Sequence, residues 1–167
     1  MKKQDLQKEI EKCYLHKYHY KKLLLDYKNI IILGNGGSSS IASHITQDYT
    51  KRMKKRSFTF SDASRLTCYA NDYGYENAYR QFLSEFADKE DTLIILISSS
   101  GNSQNILNCA DWCNDNEVAT VTLSGFDENN LLKNKEMKDR KINYWVDSQD
   151  YGIVECVHKI FLHMVIE

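Results

Sequence analysis

Asn29-Ile30-Ile31-Ile32-Leu33, followed directly by Gly34-Asn35-Gly36-Gly37-Ser38-Ser39-Ser40, is the stretch from which the rest of the chain is read. The first five residues form a nearly continuous apolar run, the pattern of a strand covered on both faces. The next seven are glycine, asparagine and serine, and they lead into a helical pattern over residues 41–51. Working outward, the same grammar repeats. Residues 57–60, 92–97, 118–123 and 143–146 are further apolar or alternating runs, and 76–86, 105–114 and 154–166 are helix-length segments between or after them. Residues 4–27 carry apolar side chains at Leu6, Ile10, Cys13, Tyr14 and Leu24 with polar positions between, which predicts one long helix with an apolar stripe. Strands separated by helices predict an α/β fold with a parallel sheet and right-handed crossovers. With no internal repeat, low-complexity tract or break in composition, the chain reads as a single domain.

Composition narrows the function. The 167 residues carry a formal charge of −1, so no global field favours nucleic acid or an acidic membrane. The basic run Lys51-Arg52-Met53-Lys54-Lys55-Arg56 is read as a solvated helix end. No apolar stretch is long enough for a membrane span, and Met1-Lys2-Lys3-Gln4-Asp5 lacks the apolar segment of a secretory signal. Five cysteines, odd in number and without a C-x-x-C pair, are read as reduced, mostly buried thiols of a cytoplasmic protein. Proline is absent, where average usage would give about 8, and there are only seven glycines. Five of them (Gly34, Gly36, Gly37, Gly101 and Gly125) follow predicted strands.

In an open parallel sheet the ligand crevice lies beyond the carboxyl ends of the strands. After the first run come Gly34 to Ser40. After the third come Ser98-Ser99-Ser100-Gly101-Asn102-Ser103, again leading into a helix. Glycines let backbone N–H groups approach an anion, helix N-termini favour negative charge, and serine hydroxyls donate to phosphate oxygens. The second loop reads as a monophosphate cradle. The alternative is a turn and an N-cap. The first loop lacks both the third glycine of a dinucleotide fingerprint and the lysine of a Walker loop, so no nucleotide cofactor is expected and a sugar phosphate fits better.

His44 and Asp48 lie four apart on the helix after the first loop, one turn in from the crevice as that helix is read from residue 41. Glu155, His158 and His163 punctuate an apolar C-terminal segment. A carboxylate and a histidine facing a pocket can act as base and acid. Together His44, Asp48, Glu155 and His163 could instead hold a divalent metal. Eight residues separate Glu155 from His163, roughly 12 Å along one helix. Either Glu155 precedes the helix, or the two serve different copies of the site. His163 can also be read as a hydrogen-bonded core histidine, and His16, His19 and His158 are read as structural. Asn71-Asp72-Tyr73-Gly74-Tyr75 is read as a polar turn in which Asp72 either contacts sugar hydroxyls or caps a helix.

The two loops in this order, with His44 and Asn71-Asp72-Tyr73-Gly74 between them, resemble the SIS (sugar isomerase) domain and, within it, the phosphoheptose isomerase family. The resemblance runs from about Asn29 onward. It implies a doubly wound, flavodoxin-like sheet of five parallel strands with long terminal helices, residues 1–28 serving as an oligomerisation helix and 29–167 as the core. It also implies a homotetramer with sites where subunits meet. Ser98, Ser99, Ser100 and Ser103 would hold phosphate, and Asn35, Gly36, Gly37, Ser38, Asp72 and Glu155 the sugar. The implied reaction interconverts sedoheptulose 7-phosphate and an aldose through an enediol, with zinc at the catalytic residues of some members. Three positions depart from the family pattern. Asp48 stands where it has Glu, Glu155 where it has Gln, and Gly152 where it often has Asp. Asp48 or Glu155 is then the base and His163 the acid. Two other readings are an isomerase of a smaller sugar phosphate, such as a pentose 5-phosphate, and a non-catalytic phosphosugar-binding regulator of a partner protein.

Overall fold

In the computed structural model, which describes residues 3–166, five strands form one parallel sheet in the order β2-β1-β3-β4-β5. They are β1 (Asn29–Gly34), β2 (Arg56–Phe58), β3 (Thr92–Ser98), β4 (Thr120–Ser124) and β5 (Arg140–Trp145). β1 and β3 pair in register from Asn29 opposite Thr92 to Gly34 opposite Ile97.

Period-two alternation splits these strands between two cores. Ile30 and Ile32 of β1, with Leu93, Ile95 and Ile97 of β3, pack on one face under α1 (Lys3–Leu15), α2 (Lys17–Asp26), α3 (Gly37–Met53) and α8 (Tyr151–His163). Ile31 and Leu33, with Ile94 and Leu96, pack on the other under α5 (Tyr75–Phe86) and α6 (Gln104–Asp115). Both faces are covered, which is why the runs are continuously apolar. The remaining helices are α4 (Ala63–Tyr73) and the short α7 (Leu131–Asn134). The expected α/β, doubly wound five-stranded sheet is present. Residues 1, 2 and 167 of the expected domain lie outside the described residues.

Four local expectations are corrected. The N-terminal helix is two helices broken at His16, whose ring packs on Tyr144 and Phe161 at centroid separations of 5.5 and 6.1 Å. Residues 71–73 are not a turn but the last residues of α4, and the chain turns instead at Gly74, at φ +79°. The basic run is divided between the end of α3, a left-handed Lys54 and the first residue of β2, Arg56. Finally, α3 begins at Gly37 rather than residue 41, because Gly36, at φ +53°, turns the chain directly into the helix. His44 therefore sits about two turns, roughly 10 Å, from the helix start and not one.

Candidate active site

The order β2-β1-β3 makes the edge between β1 and β3 the topological switch point, where open α/β sheets bind ligands. The two loops singled out by sequence flank it. They line a groove of about 230 Å³ with Asn35, Gly36, Gly37 and Ser38 on one side and Ser98, Ser99, Ser100 and Ser103 on the other, closed by Tyr151 and Glu155 of α8. Among the described residues, no lysine or arginine lines it.

The walls are held by polar contacts. Asn35 exchanges two hydrogen bonds with Asn105: Asn35 Nδ2 donates to Asn105 Oδ1 at 2.8 Å, and Asn105 Nδ2 donates to Asn35 Oδ1 at 2.9 Å. Tyr75 Oη also donates to Asn35 Oδ1 at 2.9 Å. Ser98 Oγ and Ser103 Oγ lie 3.3 Å apart. Ser99 Oγ is buried with no hydrogen-bond partner within the described residues. A buried hydroxyl left unpaired costs about 1–3 kcal/mol. Gly37 packs directly against the carboxylate of Glu155. A Cβ there would stand 2.4 Å from both carboxylate oxygens of Glu155, so α8 lays that carboxylate against the start of α3, where the helix dipole favours an anion.

The histidines form a second place on the same helices. Asp48 Oδ2 lies 3.2 Å from His44 Nε2 and 3.1 Å from His163 Nε2, and the two imidazoles stack at a centroid separation of 5.7 Å. Asp48 is about one-fifth exposed and His44 about half. His44 and His163 also line a separate cavity of about 550 Å³ with Tyr14, Cys156, Lys159, Ile160 and Met164. Two imidazole nitrogens and a carboxylate oxygen, all within 4.8 Å of one another, make a donor set that zinc accepts with a position left open.

Glu155 does not join this cluster. It lies within α8, not ahead of it, so two turns of helix separate it from His163 and the expected four-ligand set does not assemble in one chain. Asp72 is likewise absent from the groove. It lies on α4 and accepts from its neighbour Asn71 Nδ2 at 3.0 Å. The contributions of Asn105, Tyr75 and Tyr151 were not read from sequence. The first two reach Asn35 only across the fold and carry no motif; Tyr151, next to Gly152 and Glu155, was the one that could have been suspected.

The fully buried histidine is His158, not His163. Its Nε2 donates to the Ser124 carbonyl at 3.1 Å, and desolvation pushes its pKa down to about 4 from an ordinary 6.5. The unfolded chain therefore takes up this proton more readily than the folded one. Stability is whole above about pH 6.5 and falls as pH drops toward 4, by up to about 1.4 kcal/mol per pH unit. Urea titrations across that window should show the loss. His158→Gln, which can still donate to Ser124 without titrating, should flatten it.

A model of the SIS domain matches residues 17–125. The phosphoheptose isomerase of Fusobacterium nucleatum is 32% identical over 145 residues, covering 84% of this chain and 72% of that protein. The chain belongs to the SIS domain family, among its phosphoheptose isomerases. The phosphoheptose isomerase of Helicobacter pylori strain P12 is 35% identical over 142 residues, covering 81% of this SIS chain and 71% of that protein. The solved phosphoheptose isomerase of Neisseria gonorrhoeae shares the SIS fold with a TM-score of 0.85 at 21% identity, over 96% of this chain and 89% of that one. No helix among the described residues is long and apolar enough to cross a membrane.

Proposed function

We propose that this protein is an aldose–ketose isomerase that converts sedoheptulose 7-phosphate to D-glycero-D-manno-heptose 7-phosphate through an enediol. The observation that carries the mechanism is Asp48 Oδ2, held between His44 Nε2 and His163 Nε2 at 3.2 and 3.1 Å. In the proposed cycle the serine loop holds the phosphate, and Asn35, Gly36, Gly37 and Ser38 hold the sugar chain. Asp48 removes a proton from C1, while His163 gives a proton to the C2 carbonyl oxygen, forming the enediol. His163 then takes the O1 proton and Asp48 returns its proton to C2. Acid and base are regenerated and no oxidant is consumed. Alternatively, the same donor atoms of His44, Asp48 and His163 would hold one zinc or similar divalent ion per subunit, which would then stand in place of this acid–base pair. The chemistry supplied by such an ion is polarisation of the substrate carbonyl.

The site is proposed to be completed between copies, in a homotetramer organised by the N-terminal segment 1–28 around core 29–167. Two observations support this. Glu155 and His163 stand about 12 Å apart on one helix, and α4, which carries Asp72, buries none of its residues within the protomer. Free thiols at Cys13, Cys68, Cys109, Cys113 and Cys156 suit a cytoplasmic setting.

The test is incubation with sedoheptulose 7-phosphate in deuterated water, with and without added divalent metal and beside a pentose 5-phosphate. Deuterium is expected at C2 of the aldose product. Absence of the aldose product under every condition would overturn the reading; product without deuterium would mean that Asp48 returns the C1 proton before it exchanges with solvent. Glu155→Gln is expected to keep most of the exchange, because the base assigned here is Asp48. A collapse of exchange in that variant would move the base to Glu155.

A further inference from the structure

Besides its own internal hydrogen bonds, the serine loop is supported from behind by the segment after β4. Asn130, only 2% exposed, caps α7. Its Nδ2 donates to the Asp127 and Gly125 carbonyls at 2.7 and 3.1 Å and lies 3.4 Å from Ser124 Oγ. Its Oδ1 accepts from Lys133 N at 2.9 Å. With its donors and acceptor engaged inside residues 124–133, the carboxamide is a fixed plate.

Gly101 rests against that plate. A Cβ at Gly101 would stand 1.9 Å from Asn130 Oδ1 and 2.2 Å from Cγ, and the backbone there is left-handed at φ +67°. The same segment ties the loop at three further points. Gly125 N donates to Ser99 O at 3.0 Å, Leu132 N to Gly101 O at 2.9 Å, and Leu131 N to Asn102 Oδ1 at 3.0 Å. A cradle binds phosphate tightly only when its donors converge on one point, and sub-ångström placement depends on what supports the loop from behind.

We propose that Asn130 is a positioning residue for phosphate binding. It acts through Gly101 to hold residues 98–103 in their binding shape, and it touches no substrate itself. This rests on the reading that the serine loop holds the phosphate.

The experiment is steady-state kinetics of Asn130→Ala in the full chain, with competition by inorganic phosphate. KM for the sugar phosphate and the inhibition constant for phosphate are each expected to rise about tenfold, the worth of one or two misplaced hydrogen bonds. The kcat value should stay within about threefold. A merely structural role would instead lower the melting temperature and the active fraction, leaving KM where it was. Values of both constants within about twofold of wild type overturn the proposal. If Asn130→Ala does not fold, Asn130→Asp is read by the same criterion, since it keeps the volume and loses the Nδ2 donors. Gly101→Ala should reproduce the defect from the other side, and combined with Asn130→Ala should cost less than the product of the two. A wild-type protein that neither turns over the sugar phosphate nor is inhibited by phosphate overturns the underlying reading. Inhibition of wild type and variant alike overturns only the role of Asn130.

Discussion

Asp48→Asn is expected to lower isomerisation by about 10²–10⁴-fold, the range that a positioned general base contributes. The substitution keeps the volume of the side chain and removes the charge and the proton acceptor. One carboxylate oxygen serves two imidazoles, so the same change deprives His163 of its orienting partner and weakens any cation held there. Stability should hardly change, because a partly exposed carboxylate–imidazole contact contributes at most about 1 kcal/mol. Solvent-deuterium exchange at C2 and a thermal melt on one preparation separate the two effects. Asp48→Glu, which lengthens the side chain by one methylene, should retain far more activity than Asp48→Asn. Equal loss in both variants would mean that placement, not basicity, governs the step. Full activity in Asp48→Asn would remove Asp48 from the mechanism.

Phe161→Ala should be the most destabilising single change in the core on the α8 side. Its ring is fully buried, 4.8 Å from Tyr20 and 4.6 Å from Tyr144 between centroids. It thereby joins α2, β5 and α8. Truncating a buried phenylalanine costs about 3–5 kcal/mol, a large share of the roughly 5–15 kcal/mol that keeps such a domain folded. The melting temperature should fall by about 10 °C, and Phe161→Leu, which keeps much of the volume, should recover most of it. There is a functional corollary. Tyr20 and Tyr49 hydroxyls lie 2.7 Å apart, and Tyr49 Oη donates to the Leu162 carbonyl at 2.7 Å. Tyr49 and Leu162 are the chain neighbours of Asp48 and His163, so loosening the cluster should also disturb the proposed Asp48–His163 pair. A melt within 2 °C of wild type, against the fall expected, would show that these rings are not packed as described.

The apolar runs at 29–33, 92–97 and 118–123 were legible because strands covered on both faces need apolar residues at every position, whatever their neighbours. β2 and β5 were legible only approximately. They are edge strands, and burial constrains their ends less. Helix α4 escaped notice because none of its residues is buried, so it leaves little apolar signal. The groove at the switch point could be read from the glycines and serines that follow β1 and β3. Its supports could not. Asn105 reaches Asn35 from 70 positions away and Asn130 reaches Gly101 from 29, and an asparagine carries no mark of its partner.

Chain chemistry alone therefore settled that a parallel sheet forms, that glycine- and serine-rich loops follow β1 and β3, and that His44 and Asp48 share a helical face. These depend on side-chain period and backbone geometry, which are local. The fold had to decide which histidine is buried, that Glu155 lies against Gly37, and that His163 meets Asp48 instead. Those outcomes depend on the rotation of α8 against the sheet. Rotation places His158 under the Ser124 carbonyl, Glu155 against Gly37 and His163 beside Asp48, a result of packing between distant segments that no local pattern encodes.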